Sequence, residues 1–237
     1  MNIALLGYGK MGKAIEKIAL ERGHTIVQKL DRGDSINPAG VDVAIDFSLP
    51  EAAVPNISSC INNGVPVISG TTGWLDQYDE MVALCEEKGS AFLYASNFSV
   101  GVNLFFELNK KLASLMNNQM DYKVGLEEIH HTQKLDAPSG TAITAAEGVI
   151  QNAHHKKWEL QEGDTQEYSN SYVPIQSIRE GKVPGTHTVT YTSPIDTISI
   201  SHEAHSRQGF AMGAVVAAEW LLGKKGVFSI RDVLNLS

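Results

Sequence analysis

Apolar residues recur along the first hundred positions in two alternating modes. Short apolar runs at Met1–Leu6, Thr25–Leu30, Val41–Phe47, Val65–Ser69 and Ala91–Ala95 have the length and apolar character of buried strands. Between them, longer stretches carry helical spacing: Met11–Arg22, with Ile15, Ile18 and Ala19 on one face and Gly23 at its end, Glu51–Asn63, and Leu75–Lys88. Pro55 predicts a late start for the second of these helices. Strands alternating with helices of this length predict a doubly wound parallel sheet running to about Phe98.

The pattern then changes. Val102–Met116 and Ser139–Ala153 read as helices, and Tyr122–His130 alternates like a strand. Three β-rich runs follow at Ser171–Ile178, Thr186–Thr192 and Thr197–His202, with hairpin-like spacing that predicts a mixed or antiparallel sheet. A small-residue apolar helix, Phe210–Leu222, and a short element at Ile230–Leu234 close the chain. The predicted fold class is α/β: a Rossmann-type doubly wound parallel sheet with an inserted α+β domain. The expected division is 1–98 plus 209–237 for the first domain and 99–208 for the second.

Composition narrows the function. The formal net charge of −8 repels a phosphate backbone, and no basic stripe overrides it, so nucleic acid is not an expected partner. No apolar run approaches a membrane span and the amino terminus lacks a signal h-region, which makes a cytoplasmic protein the expectation. Cys60 and Cys85 fall in helical segments without metal-binding spacing and read as packed thiols. An anionic small molecule remains possible wherever cations or helix starts cluster.

Gly7-Tyr8-Gly9-Lys10-Met11-Gly12 is such a place. This Gly-x-Gly-x-x-Gly follows a strand and opens a helix. Its glycines permit a tight turn, close approach of backbone to a pyrophosphate, and close packing of helix on sheet. The helix start offers free N–H groups to the anion. Asp31 ends the second strand where a ribose-binding carboxylate belongs, which favours NADH, while the adjacent Arg32 suits the 2′-phosphate of NADPH. The pair leaves the choice of NADPH or NADH open. Ligands in such sheets sit beyond the carboxyl ends of the strands, which adds Phe47 and Ser48, Gly70, Thr71 and Thr72, and Ala95, Ser96, Asn97 and Phe98 as cofactor-binding candidates.

The second cluster is His130-His131-Thr132-Gln133-Lys134, which leads through Asp136-Ala137-Pro138 to a helix start at Ser139-Gly140-Thr141. Ser139 suits the N-cap, Gly140 allows close approach, and the helix start binds a carboxylate; the histidines and Lys134 add positive charge and a proton source. No metal site is expected. His202-Glu203-Ala204-His205 lacks the helical His-Glu-x-x-His spacing, and His154-His155 reads as solvated surface. Gly185-Thr186-His187 is a turn into a strand that alone says little. On these residues another Rossmann oxidoreductase of amino-acid metabolism, or a non-enzymatic NAD(P)-binding sensor, stays open.

Glu128-Ile129-His130-His131, Lys134 and Asp136-Ala137-Pro138-Ser139-Gly140-Thr141-Ala142 closely resemble the signature of the dihydrodipicolinate reductase family. Asp46-Phe47-Ser48, Gly70-Thr71-Thr72-Gly73, Asn97 to Asn103, Arg179 to His187 and Arg207 to Ala211 also look like this family, in family order. The resemblance implies reduction of 4-hydroxy-tetrahydrodipicolinate, via dihydrodipicolinate, to tetrahydrodipicolinate by NADPH or NADH, on the diaminopimelate route to lysine. It implies His130 and Lys134 as the catalytic pair, and His131, Ser139, Gly140 and Thr141 as holders of the dicarboxylate substrate. It further implies a homotetramer assembled through the inserted domain.

Overall fold

The structure, a computed structural model, describes residues 1–161, 163, 165–206 and 208–236. Its contacts divide the chain into two units, Met1–Val100 with Gln208–Ser237, and Gly101–Arg207.

The first unit begins β1 (Asn2–Leu6), α1 (Lys10–Glu21), β2 (Thr25–Leu30), β3 (Val43–Asp46), α2 (Pro50–Asn62) and β4 (Val67–Ser69). A 3-10 turn at Leu75–Gln77 then leads into α3 (Tyr78–Lys88) and β5 (Ala91–Tyr94). The sheet is parallel, in the order β2, β1, β3, β4, β5 and a sixth strand from the far end of the chain. The strand order reverses between β1 and β3, so the crevice for a ligand lies at their carboxyl ends. Every residue of β3 and β4 is buried, as strands covered on both faces must be.

Two apolar layers cover the faces. Ile15, Ile18 and Ala19 of α1 pack with Ile3, Leu5 and Ile45. Ala53, Ile57 and Ile61 of α2 and Met81 of α3 pack with Ala4, Ala44 and Val67 on the other side. Cys60 and Cys85 are free and buried in this second layer. Burial, with Asp46 nearby, pushes the Cys60 thiol up to about 12, which makes it an inert packing residue.

Pro55 does not delay α2, contrary to the sequence expectation. Pro50 sits in the first turn, where its fixed φ is already helical, and Pro55 lies on the exposed face, where the carbonyl that loses its donor can meet water.

The first unit is closed by the carboxyl-terminal stretch: α6 (Gln208–Leu221), β11 (Gly226–Ser229) and α7 (Ile230–Val233). Ala211, Ala214, Val215 and Ala218 of α6 fill the same layer as α1, and β11 pairs with β5 as the sixth strand. At Gly213 an added Cβ would sit 1.7 Å from the carbonyl oxygen of Phe98. Gly213→Ala is therefore expected to destabilise the protein by about 3 kcal/mol or more, the upper end for overpacking. Urea denaturation checks this; an unchanged midpoint would show that α6 retreats without cost.

The second unit contains α4 (Val100–Met116), β6 (Lys123–His130), α5 (Gly140–Asn152), β7 (Trp158–Leu160), β8 (Val173–Arg179), β9 (Thr186–Thr192) and β10 (Thr197–Glu203). Its sheet is mixed, in the order β10, β9, β6, β8, β7; β6 and β7 run parallel to β8, and β9 is antiparallel to β6 and β10. Phe105 and Ala113 of α4 and Ala142, Ala146 and Val149 of α5 pack on Val124, Leu126, Ile175 and Val189. Alternation thus places Val124, Leu126, Glu128 and His130 on the helix-facing side of β6, and all four are buried. His155, expected on solvated surface, is buried, with its ring stacked on His154 4.5 Å away, because the chain there leads into β7, whose Trp158 packs on the same core. Among the described residues no helix is long and apolar enough to cross a membrane.

Candidate active site

At the switch point, four strand ends continue the sheet ladder: Gly7 N–H donates to Leu30, Phe47 to Leu6, Gly70 to Asp46 and Ala95 to Ser69. The turn after β1 is possible only with glycine. Gly7 has φ +88°, and a Cβ there would lie 2.3 Å from the carbonyl oxygen of Phe47; one on Gly12 would lie 2.4 Å from that of Gly7. At Gly9, by contrast, a Cβ would meet nothing within 4 Å. This open side of the α1 start is the cradle that a pyrophosphate requires.

Two depressions flank it. One, of about 300 Å³, is lined by Gly7, Tyr8, Gly9, Asp31, Arg32, Phe47 and Ser48, with Leu49 and Asn56. The other, of about 420 Å³, is lined by Gly9, Lys10, Met11, Phe47, Ser48, Gly70, Thr71 and Thr72. Tyr8 is held by a hydrogen bond to Glu16, and the Lys29 ammonium lies 4.8 Å from its ring centre.

Five expected cofactor residues sit apart from these depressions. Ala95 and Phe98 are buried in the core, where Phe98 meets the ring of Phe47 at 5.6 Å. Asn97 Oδ1 accepts the Ser99 N–H at 2.9 Å, and Ser96 is exposed. Gly12 is buried and serves the packing of the turn.

Asp46 enters the sequence reading only as part of a family-like segment, with no role of its own there. Completely buried, it accepts from Ser48 Oγ (2.7 Å), Asn56 Nδ2 (3.0 Å), Ser69 Oγ (2.7 Å) and Thr71 Oγ1 (2.8 Å). Four neutral donors satisfy one buried carboxylate and lock the ends of β3 and β4 to helix α2. The hydroxyls of Ser48 and Thr71 are thereby turned inward.

In the second unit, β6 ends at His130, and the turn His131-Thr132-Gln133-Lys134 is closed by the Lys134 N–H on the His131 carbonyl at 3.0 Å. Lys134 Nζ is clamped by both oxygens of Asp136, at 2.8 and 2.7 Å, and this partner holds the Asp136 carboxyl below its ordinary value. His131 is half-buried.

Ser139 is the N-cap of α5, as its residue type predicts. Its hydroxyl caps α5 by accepting the Ala142 N–H at 3.2 Å and lies 3.1 Å from His187 Nε2, while its own N–H donates to Glu128 at 2.9 Å. The side chain is 2% exposed, so it is spent inside the protein. Of the helix start, the N–H groups of Gly140 and Thr141 remain for an anion, as the first turn of a helix requires.

Glu128, Ser177, Arg179 and His187 were not nominated from the sequence, yet strand register brings them together. Glu128 lies opposite Ser177 of β8 and His187 of β9, and His130 lies opposite Arg179. Glu128 is fully buried; its Oε1 accepts from Ser177 Oγ at 2.7 Å and faces Arg179 Nη2 at 3.3 Å. Its Oε2 lies 3.2 Å from His130 Nδ1, in a bent contact, and 3.6 Å from His187 Nε2. Burial alone would raise the Glu128 carboxyl, but His130, His187, Ser139 and Ser177 outweigh it and hold the group well below the usual carboxylate range. Period-two alternation through Val124 and Leu126 was the available signal for a core-facing Glu128.

Glu128, His130 and His187 offer ligand atoms within 4.8 Å of one another. The Arg179 guanidinium at 3.3 Å already serves as a cation for this carboxylate and opposes a second one.

Burial lowers the imidazole of His187, as it does those of His155 and His202. Each takes up its proton more readily in the unfolded chain, so stability is full above about pH 6.5 and falls as pH drops toward the depressed folded values. The melting temperature is expected to be lower at about pH 5.5 than at about pH 7.5. An equal or higher value in acid would show that these rings are not held neutral.

A parallel sheet of this order with the glycine turn at its switch point, joined to a second unit bearing an imidazole–lysine cluster beside a helix start, defines a two-unit dinucleotide-dependent oxidoreductase. Family models for the dihydrodipicolinate reductase amino-terminal and carboxyl-terminal parts match residues 1–98 and 101–234. The 4-hydroxy-tetrahydrodipicolinate reductase of Christiangramia forsetii is 57% identical, covering 99% of this chain and 98% of its own. That of Lawsonia intracellularis is 32% identical, with 99% of both chains covered. A dipicolinate-bound dihydrodipicolinate reductase from Paenisporosarcina sp. TG-14 shares the fold, with a TM-score of 0.76 at 23% identity over 98% of each chain. The chain belongs to the dihydrodipicolinate reductase family.

Proposed function

We infer that this chain is an NAD(P)H-dependent reductase that converts 4-hydroxy-tetrahydrodipicolinate, by way of dihydrodipicolinate, to tetrahydrodipicolinate on the diaminopimelate route to lysine. The observation that carries this reading is that the segment from His130 to Thr141 joins a strand end to a free helix start, so an imidazole, an ammonium and unpaired N–H groups adjoin one another. A ring bearing two carboxylates needs such a set: N–H donors and cations to hold it, and a proton source.

The dinucleotide, bound at the Gly7–Gly12 turn, supplies the hydride. The rest falls to the chain. The N–H groups of Gly140 and Thr141, with His131, hold substrate carboxylate, and Ser139 fixes the helix start from within. Lys134 Nζ delivers a proton where negative charge develops on the reduced ring, and His130 orients and polarises the substrate beside it. The carboxyl ends of β1 and β3, with Asp31 and Arg32, take the adenosine half of NADH or NADPH.

Residues 1–98 with 209–237 serve as the dinucleotide domain and 99–208 as the substrate and assembly domain. Arg207 lies outside the described residues. The face of the second sheet away from α4 and α5 carries a hydroxyl ladder, Thr188–Ser201, Thr190–Ser199 and Thr192–Thr197 at 2.9, 3.0 and 2.9 Å, and the adjoining turn exposes Ile195. This flat face suits association of four copies, and the protein would work in the cytoplasm.

The test is oxidation of NADH and NADPH with substrate generated in place from pyruvate and aspartate semialdehyde by a coupled synthase. Substrate-dependent turnover is expected. A folded protein that binds the dinucleotide but turns over with neither form would overturn the reading. Light scattering tests the tetramer.

A further inference from the structure

The Glu128 carboxylate touches no substrate in the reaction above, yet four elements of the second unit, β6, β8, β9 and the start of α5, meet at it. It receives the Ser139 N–H from the start of α5, Ser177 and Arg179 from β8, and faces His130 on its own strand and His187 on β9. We propose that Glu128 is a positioning residue of this site, holding His130 with its Nδ1 protonated and fixing the helix start and the Lys134 loop in one arrangement. The proposal rests on the reductase reading, but part of its test does not.

The tautomer follows from simple chemistry. An ionised carboxylate only accepts, so the hydrogen is assigned to the imidazole nitrogen 3.2 Å from it, bent as that contact is; a lone pair there would face like charge. On the other side of the ring, a Cβ on Gly185 would lie 2.9 Å from His130 Nε2. The ring is thus bounded by an anion at Nδ1 and by bare backbone at Nε2, which leaves one seating. His187 meets it edge-on, with ring centres 5.0 Å apart.

The reach to Lys134 runs through Arg179. This guanidinium faces Glu128 Oε1, donates to the carbonyl of Asp136 at 2.6 Å and reaches that of Lys134 at 3.3 Å. Neutralising Glu128 therefore loosens the helix start, the loop and the ring together. The charged and titratable groups that face it are His130, His187 and Arg179; Lys134 and Asp136 lie one contact beyond, through Arg179.

Glu128→Gln keeps the size and removes the charge. Expected are a fall in kcat of about a hundredfold or more, the scale of a disturbed acid–base contribution, a raised KM for the dicarboxylate, an unchanged KM for the dinucleotide, and a displaced acid limb of the pH profile. Gly185→Ala presses on the ring without altering charge, and should lower kcat with the acid limb in place. Nitrogen-15 imidazole spectra of the wild-type protein should show His130 as the Nδ1–H form, and this readout survives even if no substrate is turned over. Wild-type kcat and pH profile in Glu128→Gln, at any melting temperature, would reduce Glu128 to a structural role. An Nε2–H tautomer for His130 would overturn the proposal outright. So would an equimolar divalent metal in the wild-type protein that Glu128→Gln loses, because Glu128 would then be a ligand.

Discussion

Lys134→Met is expected to lower kcat by about a hundredfold or more, the usual scale of a lost general acid, while dinucleotide affinity stays within about twofold. The substitution keeps an apolar stem and deletes the ammonium. The loop itself should hold, because its anchors are backbone ones: the Lys134 N–H on His131, and the Lys134 and Asp136 carbonyls facing Arg179. What disappears is the cation clamped by Asp136, in the turn that ends at the start of α5. Single-turnover measurements on the preformed complex isolate this step from binding. If dinucleotide binding were lost while bound complex still reacted at the normal rate, Lys134 would belong to the cofactor site and not to the chemistry.

Gly9→Val is expected to abolish measurable dinucleotide binding in a protein that remains folded. The backbone at Gly9, φ −78° and ψ −152°, is open to any residue, and a Cβ there strikes no protein atom within 4 Å. The branched side chain would instead fill the side of the α1 start from which a pyrophosphate must approach. Gly7 and Gly12 differ in kind: their missing side chains are required by protein atoms, so substitution there would attack the turn itself. Titration with NADH, alongside circular dichroism of the same sample, separates the two effects. A folded Gly9→Val protein with normal binding would place the cofactor elsewhere.

The cofactor turn was legible because it depends on contacts a few residues long. Glycine spacing, the strand before it and the helix after it are all local. The same holds for the start of α5, where Ser139 caps the helix, as its residue type predicts. The role of that serine was only half legible: the cap was visible, but its burial against Glu128 and His187 was not, since those partners lie 11 and 48 residues away. Two short edge strands, Trp158–Leu160 and Gly226–Ser229, had too few residues to show a period and exist because a neighbouring strand offers its edge.

By itself, the sequence determined the alternation that makes a parallel sheet, the glycine turn that opens it, and the segment from His130 to Thr141 in which imidazoles, an ammonium and a helix start are neighbours along the chain. Only the tertiary structure decided what surrounds them. Glu128 meets Ser177 and Arg179 across 49 and 51 positions, and Asp46 meets Ser69 and Thr71 across 23 and 25. Such pairs are set by strand register, which many side chains fix together when they bury one face of a sheet; no short stretch of sequence encodes it.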